Sequence, residues 1–399
     1  MTAGAGSEVP AVTDTSGDRC GWTAAVLDRC AALAAAGLWR HPRVFEASGP
    51  RGLLMDPDLP SQAGEARSVV AFASNDYLGL GSHPTVVRAA SDALSRYGAG
   101  AGASRLVTGS RQVHRDLENA LADWKGTERA VVFPTGFAAN VGAIATFADA
   151  GTLVCSDELN HASIVDGARL ARAEVAVYRH GDPEHLEAIL KGSSGPTMVI
   201  SDLVFSMDGD IAPIEAIGAL CRRHGSLVLL DEAHAVLTAD PMPALEGVEV
   251  LRVGTLSKTL GSMGGFVAGP SAFIELIENR ARPYIFSTAL PPASAAAALA
   301  ALGLLRSAEG HTLLDRLAGH VERVASGHAT PIVPVLLGSE QRALNASAAL
   351  LDEGIWVPAI RPPTVPEGTS RLRITLSAAH TDDDVGRLVS ALGRLDLGA

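Results

Sequence analysis

The chain has 399 residues, 47% of them hydrophobic and 19% charged, with a formal net charge of -12 and a pI near 5.4. That length and apolar content support a large packed core and argue against disorder. The acidic balance argues against a chain-wide nucleic-acid or anionic-membrane surface. Cys20, Cys30, Cys155 and Cys221 form no short metal-ligand pair and no dense disulfide framework. No metal site is predicted, and a reducing, cytoplasmic setting fits.

Residues 1–20 carry acids and no apolar stretch, so they read as a disordered lead rather than a signal peptide. Residues 21–70 read as an N-terminal helical segment, with helical spacing from Trp22 to Leu38 near Gly37. Val69 to Ala73 reads as a strand and Pro84 to Tyr97 as a helix, followed by a link containing Gly98, Gly100, Gly102 and Gly109. Apolar runs then alternate with helical patterns. Strands are predicted at Ala130–Phe133, Thr152–Cys155, Glu174–Tyr178, Met198–Ser201, Leu227–Leu230, Val250–Val253 and Gly265–Ala268. Helices are predicted at Gln112–Trp124, Phe137–Phe147, Ser163–Arg172, Pro183–Leu190 and Ile214–His224. Strands rich in Val, Ile and Leu that alternate with helices predict an α/β fold with a mainly parallel sheet covered on both faces. The alanine-rich run Ala289 to Leu305, interrupted by Pro291, Pro292, Ser294 and Gly303, reads as a buried helix rather than a membrane span. The end of the chain predicts a smaller α+β domain. It has strands at Pro331–Leu337, Gly354–Ile360 and Arg371–Leu376, and helices at Ala343–Glu353 and Asp382–Leu392. The expected division is a large domain over 71–290 and a small one over 291–399.

Ligands in parallel α/β sheets collect at the carboxyl ends of strands. Asp231 ends the run Ser226-Leu227-Val228-Leu229-Leu230-Asp231, and His234 follows it. Thr255 and Lys258 follow the next strand, in Gly254-Thr255-Leu256-Ser257-Lys258. A lysine among small hydroxylated residues suits imine formation, and a carboxylate at a buried strand end suits a pyridinium nitrogen. The pair points to pyridoxal 5'-phosphate (PLP), which needs both. Pro134-Thr135-Gly136-Phe137 opens a helix after another strand, where free N–H groups and the helix dipole favour a phosphate. His161 and Ser206 also follow predicted strands. Taken alone, each has a bland reading: a solvated lysine, an N-cap aspartate, a turn glycine, a capping serine, a surface histidine. Their convergence on one sheet edge is what carries weight.

The order of motifs resembles the α-oxoamine synthase family of fold-type I PLP enzymes. The matching segments begin with Ser74-Asn75-Asp76-Tyr77-Leu78-Gly79, Gly102-Ala103-Ser104-Arg105, Thr135-Gly136-Phe137-Ala138-Ala139-Asn140 and Asn160-His161-Ala162-Ser163. They continue with Phe205-Ser206-Met207-Asp208-Gly209-Asp210, Asp231-Glu232-Ala233-His234, Thr255-Leu256-Ser257-Lys258, Phe286-Ser287-Thr288-Ala289-Leu290-Pro291-Pro292 and Arg361-Pro362-Pro363-Thr364-Val365-Pro366. The match spans residues 35–395.

The resemblance implies a PLP-dependent transferase fold of type I and a decarboxylating C-acyltransferase. Catalytic roles fall on Lys258 as Schiff-base lysine and base at the substrate Cα, on Asp231 at the pyridine nitrogen, and on His161 against the ring. Ser206 and His234 are implied at the ring oxygen. Gly136, Phe137 and Thr255 are implied at the phosphate, with Thr288 reaching the phosphate of a neighbouring subunit, hence a homodimer with shared sites. Arg361 and Asn75 are implied to clamp the amino-acid carboxylate, and Arg40, beside Arg43, and Thr364 to meet the acyl substrate. Ile360 to Pro366 and Ser377-Ala378-Ala379-His380 match best the branch that joins L-alanine to a pimeloyl thioester in biotin synthesis. The resemblance implies pimeloyl-CoA or pimeloyl-acyl carrier protein as the thioester. Alternatives are a glycine C-acetyltransferase, a fold-type I aminotransferase and a non-catalytic binding module. Against the family pattern, the connection Ala235 to Pro243 is short and lacks a glycine-rich loop, which leaves loop shape and acyl-chain access open.

Overall fold

The computed structural model describes residues 21–55 and 66–395; the expected lead over 1–20 lies outside the described residues. Helix α1 (Trp22–Ala35) is followed by strands β1 (Val44–Ala47), β2 (Arg51–Met55) and β3 (Arg67–Ala71), then by α2 (Pro84–Tyr97) and α3 (Gln112–Lys125). Next come β4 (Arg129–Phe133), α4 (Gly136–Phe147), β5 (Leu153–Asp157), α5 (Ala162–Ala171), β6 (Glu174–Tyr178), α6 (Pro183–Gly192), β7 (Thr197–Asp202) and α7 (Ile214–His224). β8 (Leu227–Asp231), β9 (Val250–Thr255) and β10 (Gly265–Gly269) complete the central strands. Helices α8 (Ser271–Arg280), α9 (Arg282–Ile285), α10 (Pro292–Leu305) and α11 (Ala308–Val324) lead to β11 (Ile332–Gly338), α12 (Glu340–Asp352), β12 (Ile355–Trp356), β13 (Ala359–Ile360), β14 (Ser370–Thr375) and α13 (Asp382–Leu392).

Seven strands form the central sheet in the order β4-β10-β9-β8-β7-β5-β6. All neighbours are parallel except β10, which is antiparallel to both β4 and β9. The near-continuous apolar strands are explained by burial on both faces. Val131, Phe133, Val154, Ile200, Leu229 and Val267 pack into one core, and Val132, Cys155, Val199, Leu230 and Phe266 into the other. Successive side chains of one strand thus feed opposite layers. Helix ends follow local chemistry. Pro84 opens α2 and Gly98 closes it, and Thr381 with Asp384 forms a capping box for α13. The alanine-rich α10 lies against α2 and α3 with Ala295, Ala298 and Ala301 fully buried, small side chains that let the helices approach closely. Among the described residues no helix is long and apolar enough to cross a membrane.

Two expectations are corrected. Residues 21–70 are not wholly helical: β1 and β2 form a hairpin that joins β3 and β12 in a separate four-stranded sheet. A side chain at Gly52 would bring its Cβ within 2.4 Å of the Ala47 Cβ, so the hairpin depends on glycine there. The predicted strand over Gly354–Ile360 is two short strands in different sheets. β12 pairs with β3, and β13 pairs with β14 beside β11. Pro358, lying between them, lacks an N–H and cannot continue a ladder.

Candidate active site

The carboxyl ends of β7, β8 and β9 meet the loops after β4 and β5 around a cavity of about 230 Å³. Its lining contains Gly136, Phe137, Asn140, His161, Asp202, Ser206, Asp231, His234, Thr255 and Lys258. The structure therefore brings together eight of the residues singled out from the sequence: Gly136, Phe137, His161, Ser206, Asp231, His234, Thr255 and Lys258.

At one end, Thr135 caps α4 by accepting from the Ala138 N–H at 3.0 Å. The Gly136 and Phe137 N–H groups lie in the first turn, where no intrahelical acceptor exists. Thr255, whose Oγ1 hydrogen-bonds the Ser257 hydroxyl at 2.7 Å and donates to the Gly264 carbonyl at 2.9 Å, stands beside them. The approach is tight. A Cβ at Gly136 would lie 3.2 Å from that of Thr255, and a Cβ at Gly265 would lie 2.5 Å from the Gly136 Cα. These are donors of the kind that hold a phosphate.

Asp231 ends β8. Its Oδ2 accepts from Asn140 Nδ2 at 2.6 Å and its Oδ1 from the Ala233 N–H at 2.9 Å. Asn140 also donates to Ser163 Oγ at 2.9 Å, while its own Oδ1 is buried without a hydrogen-bond partner. His161 is placed by a hydrogen bond from its N–H to Asp202 Oδ2 at 2.9 Å and by Ser163 Oγ, 2.7 Å from its Nδ1. Burial, then the adjacent Asp231, pushes the Asp202 carboxyl well above its ordinary pKa, against the His161 N–H.

Lys258 Nζ lies 2.7 Å from His234 Nε2, and His234 Nδ1 lies 2.5 Å from the Tyr77 hydroxyl. Burial lowers the Lys258 pKa, with Arg373 acting the same way and Asp231 and Asp202 opposing. Burial, helped by Lys258, Arg373 and His161, drives that of His234 well below its ordinary value. The chain has only three lysines. Lys125 is buried against Glu232 and Lys191 pairs with Glu187, so Lys258 is the one in this cavity.

Other predicted residues lie elsewhere. Asn75 meets Arg373, not Arg361: Arg373 Nη2 donates to Asn75 Oδ1 at 3.2 Å, and its Nε to the Ser206 carbonyl at 2.5 Å. Arg361 lines a second cavity of about 350 Å³ with Arg40, Arg43 and Thr364. There Arg361 donates to the Gly37 carbonyl at 3.2 Å and pairs with Glu340 at 3.3 Å, and Arg40 donates to Thr364 Oγ1 at 3.2 Å. Thr288 is exposed, bridged to Ser104, and outside both linings.

Four residues of the site carried no assignment from the sequence: Asn140, Asp202, Tyr77 and Arg373. Asn140 lies one helical turn after Gly136, a spacing that puts both on one face. Arg373 had a signal too, as a basic residue between Leu372 and Ile374 in a predicted strand.

The donor set fits PLP. Helix N–H groups and Thr255 suit a phosphate, Asp231 a pyridine nitrogen, Lys258 an imine, and Ser206 with His234 a phenolic oxygen. The family model for aminotransferases of class I and II matches residues 67–392.

The chain belongs to that family.

An 8-amino-7-oxononanoate synthase from Geobacter sulfurreducens is 47% identical over 350 residues, 83% of this chain and 90% of that protein. One from Burkholderia thailandensis is 42% identical over 391 residues, 92% of this chain and 97% of that protein. Among solved structures, a variant of serine palmitoyltransferase from S. paucimobilis with bound PLP and myriocin superposes with a TM-score of 0.83 at 30% identity. It covers 92% of this chain and 95% of that one.

Proposed function

We propose that this chain is an 8-amino-7-oxononanoate synthase, joining L-alanine to a pimeloyl thioester with loss of CO2 and thiol, in the cytoplasmic synthesis of biotin. The observation that carries the chemistry is Lys258, a half-buried amine beside a neutral histidine in a cavity whose other groups suit PLP. Relatives of that name at 42–47% identity carry the substrate class.

When bound, PLP supplies the electron sink for the pair left at the amino-acid Cα. The chain's residues do the rest. Asp231 would hold the proton on the ring nitrogen, and His161 would cover the ring. Ser206 and His234 would hold the ring oxygen, and Gly136, Phe137 and Thr255 the phosphate. Lys258, as a free amine, would take the Cα proton. Arg373 and Asn75 hold the alanine carboxylate, since a planar guanidinium suits two-pronged contact. Arg40 and Thr364, with Arg361 beside them, receive the far end of the acyl chain. Thr288 serves the phosphate of the other subunit of a homodimer.

An activity matrix of amino acids against acyl thioesters, followed by thiol release, tests the reading. L-Alanine with pimeloyl-CoA or pimeloyl-acyl carrier protein gives the highest kcat/KM. A higher value for glycine with acetyl-CoA replaces this function with that of a glycine C-acetyltransferase.

A further inference from the structure

His180, just after β6, lies between two carboxylates. Its Nδ1 is 3.0 Å from Asp157 Oδ1 and its Nε2 is 2.8 Å from Asp210 Oδ2. Its ring also meets the Phe205 ring edge to face, with centroids 4.4 Å apart. Asp157 and Asp210 belong to the two loops that deliver His161 and Ser206 to the Lys258 cavity. Asp157 shapes the first loop. Its Oδ1 accepts from the Leu159 N–H at 2.9 Å, its Oδ2 from the Gly181 N–H at 3.0 Å, and its carbonyl from the Asn160 N–H at 3.2 Å. Asp210 closes the second. The Phe205 N–H donates to the Asp210 carbonyl at 3.0 Å and the Gly209 N–H to the Phe205 carbonyl at 2.8 Å, with Ser206 inside that turn. Thr330, donating to the Gly209 carbonyl at 2.7 Å, and Arg371, paired with Asp208, hold the tip of the turn. His180 holds its base, where Phe205 and Asp210 meet.

The protons of this bridge follow from its partners. Asp157 takes a backbone N–H on each oxygen, which keeps it an acceptor and makes His180 Nδ1 the donor. At the other contact one proton lies between Nε2 and Asp210 Oδ2. Imidazole is the stronger base, with an ordinary pKa of about 6.5 against about 3.9 for an aspartate, so the proton belongs on Nε2. Both ring nitrogens then donate, and the ring is an imidazolium. Glu158 faces the same residue, its Oε1 accepting from the His180 backbone N–H at 2.9 Å. The hydrogen bonds to Asp157 and Asp210 raise the His180 pKa to about 10 against burial, so the charge persists at neutral pH. The other oxygen of Asp210, Oδ1, is buried without a hydrogen-bond partner, so His180 is what holds that carboxylate.

We propose that His180 is a positioning residue: an imidazolium that donates to Asp157 and Asp210 and so fixes the turn of Ser206 against the loop of His161. His180 is outside the cavity lining and acts through these two residues, which are within it. Their contact with PLP rests on the function proposed above; the bridge itself does not.

The test uses the full chain with 15N-labelled histidine, read by NMR without cofactor, with His180 assigned by its loss in His180→Gln and its shift in Asp210→Asn. The expected result in the unsubstituted chain is two protonated ring nitrogens throughout the neutral pH range. In Asp210→Asn the titration midpoint should fall by about 1–3 units, because one of two opposite charges is gone. PLP binding is then titrated in a double-mutant cycle. His180→Gln should raise the Kd for PLP about 2- to 12-fold, the worth of one hydrogen bond. It should add little to Ser206→Ala, where the bond it aligns is already absent; a merely structural loss would add in full. Asp210→Asn carries the same cycle where His180→Gln does not fold. A bare ring nitrogen in the unsubstituted chain at neutral pH overturns the proposal, as does an unchanged Kd or a fully additive loss in the cycle. Failure of the unsubstituted chain to take up PLP would instead defeat the cofactor reading, and the cofactor-free spectra would still decide the bridge.

Discussion

Replacing Arg373 by lysine separates the two arginines that could bind the amino-acid carboxylate. Arg373 is 5% exposed, and its three nitrogens are aimed by the Ser206 carbonyl at 2.5 Å, Thr375 Oγ1 at 2.8 Å and Asn75 Oδ1 at 3.2 Å. An ammonium keeps the charge but cannot reproduce that fork. Losing one charge-assisted hydrogen bond to the carboxylate costs about 1.5–3 kcal/mol, or about 10- to 150-fold in binding. The bond forms when alanine binds and persists until that carboxylate leaves as CO2, so the loss falls first on the alanine KM and less on kcat. Steady-state kinetics with each substrate varied at saturation of the other is the assay. Arg373→Lys raises the alanine KM by that factor and leaves the thioester KM nearly unchanged. Arg361→Lys does the reverse, because Arg361 shares a cavity with Arg40 and Thr364. An alanine KM that rises in Arg361→Lys and not in Arg373→Lys refutes the assignment.

Asp231→Asn should still bind cofactor but lose exchange of the alanine Cα hydrogen with solvent deuterium, measured by NMR; exchange at the unsubstituted rate contradicts the role given to Asp231. His180 bridges Asp157 at 3.0 Å and Asp210 at 2.8 Å, and these hydrogen bonds raise its pKa to about 10 against burial. Its folded pKa is raised, so its contribution is complete below the unfolded value of about 6.5 and declines as pH rises through about 10. Stability should fall by about 1.4 kcal/mol per pH unit over that window, and denaturant melts of His180→Gln should lack this slope. Sedimentation should show a dimer, and Thr288→Ala should weaken cofactor retention; a fully active monomer contradicts the shared site.

Much of this fold was legible because its strands are buried on both faces and its helices carry their own stop signals. Val131 and Phe133 serve one core and Val132 the other, which leaves an uninterrupted apolar run that cannot be mistaken for surface. The hairpin of β1 and β2 was not legible. Eight of its nine residues are exposed or half-buried in short strands around Ser48-Gly49-Pro50, and that composition reads as loop.

In the site, residues near glycine, proline or small polar neighbours stood out, and Lys258, Asp231 and His234 fall where they were expected. The pairing of Asn75 did not stand out. Asn75 and Arg373 are 298 positions apart, and only the docking of β14 against the 74–77 segment joins them. Arg361, before two prolines, looked more like a ligand than an arginine within a strand did. The short connection after His234 also has a structural answer. Arg252 reaches Glu232 at 2.5 Å and Asp240 at 3.0 Å, Lys125 reaches Glu232 at 2.5 Å, and together they line a separate cavity of about 450 Å³. Those charges satisfy one another, so the connection leaves the lining of the Lys258 cavity intact.

The central claim is that Lys258 carries the cofactor. Borohydride reduction of the loaded enzyme followed by peptide mass mapping tests it most directly. The account predicts the reduced pyridoxyl group on the peptide containing Lys258, and none after Lys258→Ala. The group on Lys125 or Lys191 instead would contradict it.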